Sequence, residues 1–170
     1  MSNTLDICDA AHVTSSRGSL TLSLFDAVKP SERSSQQWQS NQQFIGMLNA
    51  YRSSGGLARA QELAVTCKSH GERCLMALAD WIVKRKVISL EWQSKIWLPL
   101  FQFNHVDMTL ALGLEDTLAE LVVVHDDWHI ANWFSLPNHW LADRTPADML
   151  ATAAPEVLNA ARAERYAAAG

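Results

Sequence analysis

The residues best suited to chemistry in this chain are its histidines and cysteines. His125 and His129 stand four apart in the run HDDWH, so on a helix both imidazoles would share one face at a spacing that suits zinc. The run lacks the order HExxH, and a third ligand such as His105 or His139 would have to be brought in by the fold. Two surface or capping histidines near a helix start are the simpler reading, because two ligands do not make a site. Cys67 and Cys74 lie seven apart, two turns if one helix ran through both, but His70-Gly71 between them favours a break. With Cys8 they make an odd count of three without a framework spacing, so reduced thiols are expected, with neither a disulfide nor a metal role. There is no GxSxG, no P-loop and no GxGxxG. The acid pairs Glu115-Asp116 and Asp126-Asp127 sit at predicted helix N-termini, where a structural use suffices. No catalytic site and no cofactor are expected.

One concentrated basic patch remains, Lys84-Arg85-Lys86 with Lys95 across a predicted hairpin. Beside a recognition helix these side chains would contact phosphates and give salt-dependent DNA binding. The same residues also suit a helix C-terminus, where cations are favoured anyway. The net charge of −4 conceals an asymmetry. Residues 1–56 carry four acids and four bases, residues 57–103 seven bases and four acids, and residues 104–170 three bases and ten acids. The middle could therefore face an anion and the last part could not.

Helical periodicity places the elements that must position these groups. Trp38, Phe44, Ile45, Leu48 and Tyr51 predict a helix over 34–52, ended by Ser53-Ser54-Gly55-Gly56. LARAQELAVTC predicts a helix over 57–67 and Leu75, Leu78, Ala79 and Ile82 a second over 72–84. Two short helices split by a Gly-containing turn fit a helix-turn-helix unit, although any helical hairpin has the same pattern. Residues 87–92 and 96–98, rich in β-branched and aromatic types, predict a β-hairpin where a winged helix-turn-helix carries its wing. Helices follow over 113–124 and 126–135. A further start at Thr145-Pro146-Ala147-Asp148 has a cap, a first-turn proline and an acid able to return a bond. A last helix begins near Pro155. Before residue 30, Leu20, Leu22 and Leu24 alternate with polar residues, which fits either a short strand or a loosely ordered arm.

Six of the seven tryptophans fall between 81 and 140, which puts the packed core there. Trp133 and Trp140 flank a Pro-Asn turn, so either one could be an interface anchor instead of core. The segment from 97 to 161 has a recognisable order of pieces. It runs through Pro99-Leu100-Phe101-Gln102-Phe103, then Trp128 and Trp133-Phe134, then Pro137-Asn138, Leu141, Arg144-Thr145-Pro146 and Leu150, then Val157 and Ala160-Ala161. This resembles the C-terminal toxin-binding domain of Xre/MbcA/ParS-type antitoxins over about two-fifths of the chain. Asp143 stands where that family usually has glycine, and the first 56 residues are not accounted for by the resemblance. The resemblance implies an antitoxin or a relative of one, binding and blocking a toxin and in many cases repressing its own promoter.

The resulting expectation is a mainly α protein with one small β-hairpin, compatible with a degenerate winged helix-turn-helix followed by a helical partner-binding module. Residues 1–30 form an arm, 31–103 the helix pair and hairpin, and 104–170 the module resembling the toxin-binding domain. Partner contacts are expected at Trp133, Asn138, Trp140 and Arg144, and DNA contacts at Lys84, Arg85, Lys86 and Lys95. The alternative is an interaction or scaffold protein without DNA binding. A homo-oligomer is expected in either case. The acidic N-terminus lacks the basic residues and apolar run of a signal peptide, and no window is apolar enough for a membrane span, so a cytoplasmic location is expected.

Overall fold

A computed structural model describes residues 30–170; the arm and the strand expected near Leu20–Leu24 lie outside the described residues. The fold is mainly helical with one small antiparallel sheet. No helix of the described residues is long and apolar enough to cross a membrane.

Helix α1 covers Pro30–Ala50, beginning four residues before the predicted helix and ending two residues before its predicted end. Its C-terminal half seats Phe44 and Met47 in the core, and Tyr51 just after it is buried too. The chain then reverses through Gly55 and Gly56, at φ 101° and 86°, a conformation glycine adopts without the Cβ penalty. This reversal corrects the next expectation. Leu57–Arg59 is a strand, β1, and only from Ala60 does the helix α2 (Ala60–Ser69) begin. The residues of β1 pair antiparallel with β3 (Lys95–Pro99) in the register Leu57↔Pro99, Ala58↔Leu98 and Arg59↔Trp97. A ladder to a distant strand thus overrides the local helix propensity of LAR.

His70-Gly71 breaks the chain as predicted, and α3 follows over Glu72–Val83. The break folds α2 and α3 into a hairpin that brings the Cα atoms of Cys67 and Cys74 to 5.1 Å. The two cysteines are joined as a disulfide, which overturns the expectation of reduced thiols. The odd count and the missing framework spacing were the wrong measure, because the turn at His70-Gly71 closes the distance.

The first strand of the hairpin is shorter than predicted and the second longer, with β2 at Leu90–Trp92 pairing β3 through Leu90↔Trp97 and Trp92↔Lys95. The sheet has three strands in the order β1-β3-β2, not two. Val87 and Ile88 are buried without joining it, because the Gln102 side chain takes both backbone groups of Ile88. Phe44 of α1 stacks on Trp92 at 4.0 Å and meets Trp97 edge-on at 4.9 Å, fastening α1 to the hairpin.

The second half is built from α4 (Leu114–Leu121), α5 (Asp127–Ser135), α6 (Pro146–Met149) and α7 (Ala154–Ala169). Gly113 caps α4 at φ 79°, and a Cβ there would lie 2.8 Å from that of Ala154 at the start of α7. Only glycine therefore lets α4 and α7 close on each other. Arg162 and Arg165 of α7 reach back to Glu120 of α4 at 3.4 and 2.7 Å. One cluster of buried apolar side chains runs from Met47 through Leu98 and Leu118 to Ala161, so the core is continuous across residue 103. Tyr51 donates a buried hydrogen bond to the carbonyl of Ala131 at 2.6 Å, joining the end of α1 to α5.

Candidate functional site

The expected partner-binding residues Asn138, Trp140 and Arg144 come together on the loop between α5 and α6. Helix α5 starts where Asp126 accepts the His129 backbone N–H at 2.8 Å, and it stops at Leu136-Pro137. Asn138 then organises the turn. Its Oδ1 accepts from the Trp140 N–H at 2.9 Å, and its carbonyl accepts from the N–H groups of Leu141 and Asp143. Its own N–H donates to the Arg144 carbonyl at 3.0 Å, closing the loop as a single β-bridge. Ala142 and Asp143 both take the left-handed conformation, at φ 54° and 58°. Thr145 closes the segment by capping α6, accepting the Asp148 N–H at 3.2 Å and donating to its carboxylate at 2.7 Å.

Within this braced loop Leu141 is the residue that points inward and is buried. Trp140 is left 72% exposed, beside exposed Leu136, Pro137 and His139. Arg144 is also exposed, with no ion pair among the described residues. Trp133 stands apart from this group. It is half-buried against the core and meets Phe134 edge-on at 5.0 Å, so of the two flanking tryptophans it is the packing residue.

The basic residues divide into two places. Lys84, Arg85 and Lys86 line an open cleft with Glu115 and Asp116, whereas Lys95 lines a separate groove with Arg59, Gln61 and Ser94. Each member of the triad is paired with an acid, Lys84 with Asp80 at 2.7 Å, Arg85 with Asp127 at 2.6 Å and Lys86 with Glu115 at 2.7 Å. The hydrogen bond to Glu115 and its charge hold the Lys86 ammonium above its ordinary pKa. Lys95 is exposed just after the Gln93-Ser94 turn and has no ion pair among the described residues. The outer face of α3 presents Glu72, Arg73, Met76, Asp80 and Val83. Arg73 is the single group there that could donate to a base or a phosphate, against two acids.

The two histidines of HDDWH do lie side by side, ring centroids 5.9 Å apart and nearly parallel. Each is already engaged. His125 Nε2 meets Glu164 of α7 at 2.9 Å and His129 Nδ1 meets Asp126 at 2.9 Å. The backbone N–H of His129, and then its ring, hold the Asp126 carboxyl below the usual carboxylate range. Among the described residues no group of three or more potential metal ligands exists.

Sequence reasoning missed the acids that occupy the triad. Asp80–Lys84 is an i,i+4 pair and could have been read from spacing, whereas Asp127 and Glu115 are far from their partners in the chain. It also missed Gln102, whose role rests on a contact with the backbone fourteen residues earlier. Comparison with protein families, curated proteins and solved structures gives no match for this chain.

Proposed function

We propose that this chain is a non-catalytic, antitoxin-like regulator that binds a protein partner through the loop Leu136–Arg144. The observation that carries this reading is Trp140, 72% exposed on a loop braced by hydrogen bonds from the backbone N–H groups of Asn138, Trp140, Leu141, Asp143 and Arg144. A large aromatic held rigidly in water is an arrangement that favours burial in a partner's pocket, since little ordering entropy is left to lose. The resemblance to toxin-binding domains points to the same segment. Asp143, where that family usually has glycine, sits at φ 58°, the conformation glycine prefers. A toxin is the partner class that the resemblance implies, and a cytoplasmic location goes with this reading.

DNA contact is a second reading, favoured by one observation. The order α1-β1-α2-α3-β2-β3 with strands arranged β1-β3-β2 is compatible with a winged helix-turn-helix, in which Lys95 would lie near the tip of the wing. The paired triad and the acidic, apolar face of α3 restrict such contact to phosphates near that tip, without base reading. A scaffold role without DNA is the alternative if even this contact is absent.

The test is affinity purification of the tagged protein from its native cells, run in parallel with Trp140→Ala and with and without nuclease. A protein that co-purifies with the wild type, survives nuclease and is lost with Trp140→Ala supports the reading. A partner retained at full yield by Trp140→Ala, or a hydrolytic activity intrinsic to the purified chain, sinks it.

A further inference from the structure

Helix α1 carries a second apolar stripe that the core does not use. Phe44, Met47 and Tyr51 face inward, but Trp38, Ile45 and Leu48 are exposed, Trp38 by 64%. With Asn41 they fall at 38, 41, 45 and 48, the alternating three- and four-residue spacing of a coiled-coil seam. None of the described side chains from 35 to 43 is buried in this roughly 30 Å helix.

Among the described residues nothing buries that stretch. A helix that is polar nearly all round is normally held by i,i+4 ion pairs, and the described side chains of α1 offer none. Between Ser34 and Tyr51 there is no Asp, Glu, Lys, Arg or His, in a chain where 19% of residues are Asp, Glu, Lys or Arg. A face selected for a partner of different sequence ordinarily carries charges that specify that partner. A charge-free seam has nothing to repel its own copy. Its single polar residue, Asn41, oriented by a hydrogen bond from Gln37 at 3.1 Å, is the kind that sets register between like helices.

We propose that α1 is a self-association surface, and that the seam Trp38–Asn41–Ile45–Leu48 packs against the same seam of a second copy of this chain. The proposal is independent of the partner reading, since it uses neither the Leu136–Arg144 loop nor the basic residues. The dimer is isologous.

Sedimentation velocity on the full chain over a concentration series tests it. The expected species is twice the 18.9 kDa monomer. The double variant Trp38→Glu with Ile45→Glu places like charges across the seam and is expected to sediment as a monomer at every concentration. The control Gln39→Glu with Gln43→Glu adds the same charge on the side of α1 turned away from the seam, and is expected to stay a dimer. Circular dichroism and a thermal melt check that the core face of α1 is intact in both. A wild type that is monomeric throughout overturns the proposal, as does a dimer that survives the seam charges. A seam variant that cannot be folded is replaced by Asn41→Cys, which is expected to cross-link two copies under mild oxidation; formation of monomer alone overturns the proposal.

Discussion

Gln102 and Ile88 are joined by two hydrogen bonds running in opposite senses. The Ile88 N–H donates to Gln102 Oε1 at 2.6 Å, and Gln102 Nε2 donates to the Ile88 carbonyl at 3.0 Å. The same amide nitrogen donates to the Pro99 carbonyl at 3.0 Å, and the side chain is fully buried. A glutamine thus stands in for the strand that would otherwise pair with residues 87–88. Gln102→Leu keeps much of the volume and leaves those backbone groups without partners in the interior. The expected loss is about 3 kcal/mol in a urea melt, from three lost bonds at roughly 1 kcal/mol each. A loss below about 1 kcal/mol would mean that water replaces the amide.

Tyr51 gives a pH dependence with a definite sign. Burial lifts its phenol well above the ordinary 10.0, so the folded chain keeps a proton that the unfolded chain releases above pH 10. Its contribution is present in full below pH 10 and falls as pH rises beyond, by about 1.4 kcal/mol per unit. Tyr51→Phe is expected to cost about 1 kcal/mol at neutral pH, for the lost bond to Ala131. The variant should also show a shallower loss of stability than the wild type between pH 10 and 11. Parallel pH curves for the two proteins would contradict this.

The left-handed backbone at Asp143 makes glycine the better residue for stability there. Asp143→Gly removes a Cβ penalty of about 1 kcal/mol but frees the unfolded chain, leaving an expected net gain of about 0.5 kcal/mol. Asp143→Val, β-branched at the same φ, is expected to lose about 2 kcal/mol. Opposite signs in paired thermal melts are the required outcome.

On the proposed function, Trp133 is a packing residue and Trp140 a binding one. Trp133→Ala is expected to cost about 3 kcal/mol of stability, because its ring lies against the core. Trp140→Ala is expected to move stability by less than about 0.5 kcal/mol. Its effect falls on the partner complex, weakened about 30-fold or more in a titration of the purified pair. A Trp140→Ala protein that unfolds early would place that ring in an intramolecular role.

On the DNA-contact reading, the acids around the basic triad are what keep its cations from phosphates. Asp80→Asn, Glu115→Gln and Asp127→Asn together release Lys84, Lys86 and Arg85 from their partners. The triple variant is expected to bind duplex DNA with a log–log salt slope steeper than that of the wild type by about 2 to 3, near 0.9 per phosphate contact. An unchanged slope would show that these cations are not within reach of a duplex.

Much of the fold is legible in the sequence because it is decided within a few residues. The Thr145-Pro146 cap, the Asp126 cap, the His70-Gly71 break and the amphipathic faces of α3 and α4 all rest on contacts spanning at most one helical turn. The remainder depends on what the chain meets after long separations. β1 exists because β3 lies beside it, and the Cys67–Cys74 disulfide because α2 folds back on α3. Arg85 is occupied because Asp127, forty-two residues on, arrives next to it. The candidate site shows the same division. Asn138, Arg144 and two tryptophans flanking a Pro-Asn turn could be named from sequence alone. Which tryptophan faces water was settled only by the tertiary structure, where Leu141 takes the inward place in the turn and Trp133 packs on Phe134. The sequence determined the turns and periodicities, since their energies are local. The pairing of charges, the third strand and the exposure of Trp140 were decided by packing, which balances burial against alternatives that no short window contains.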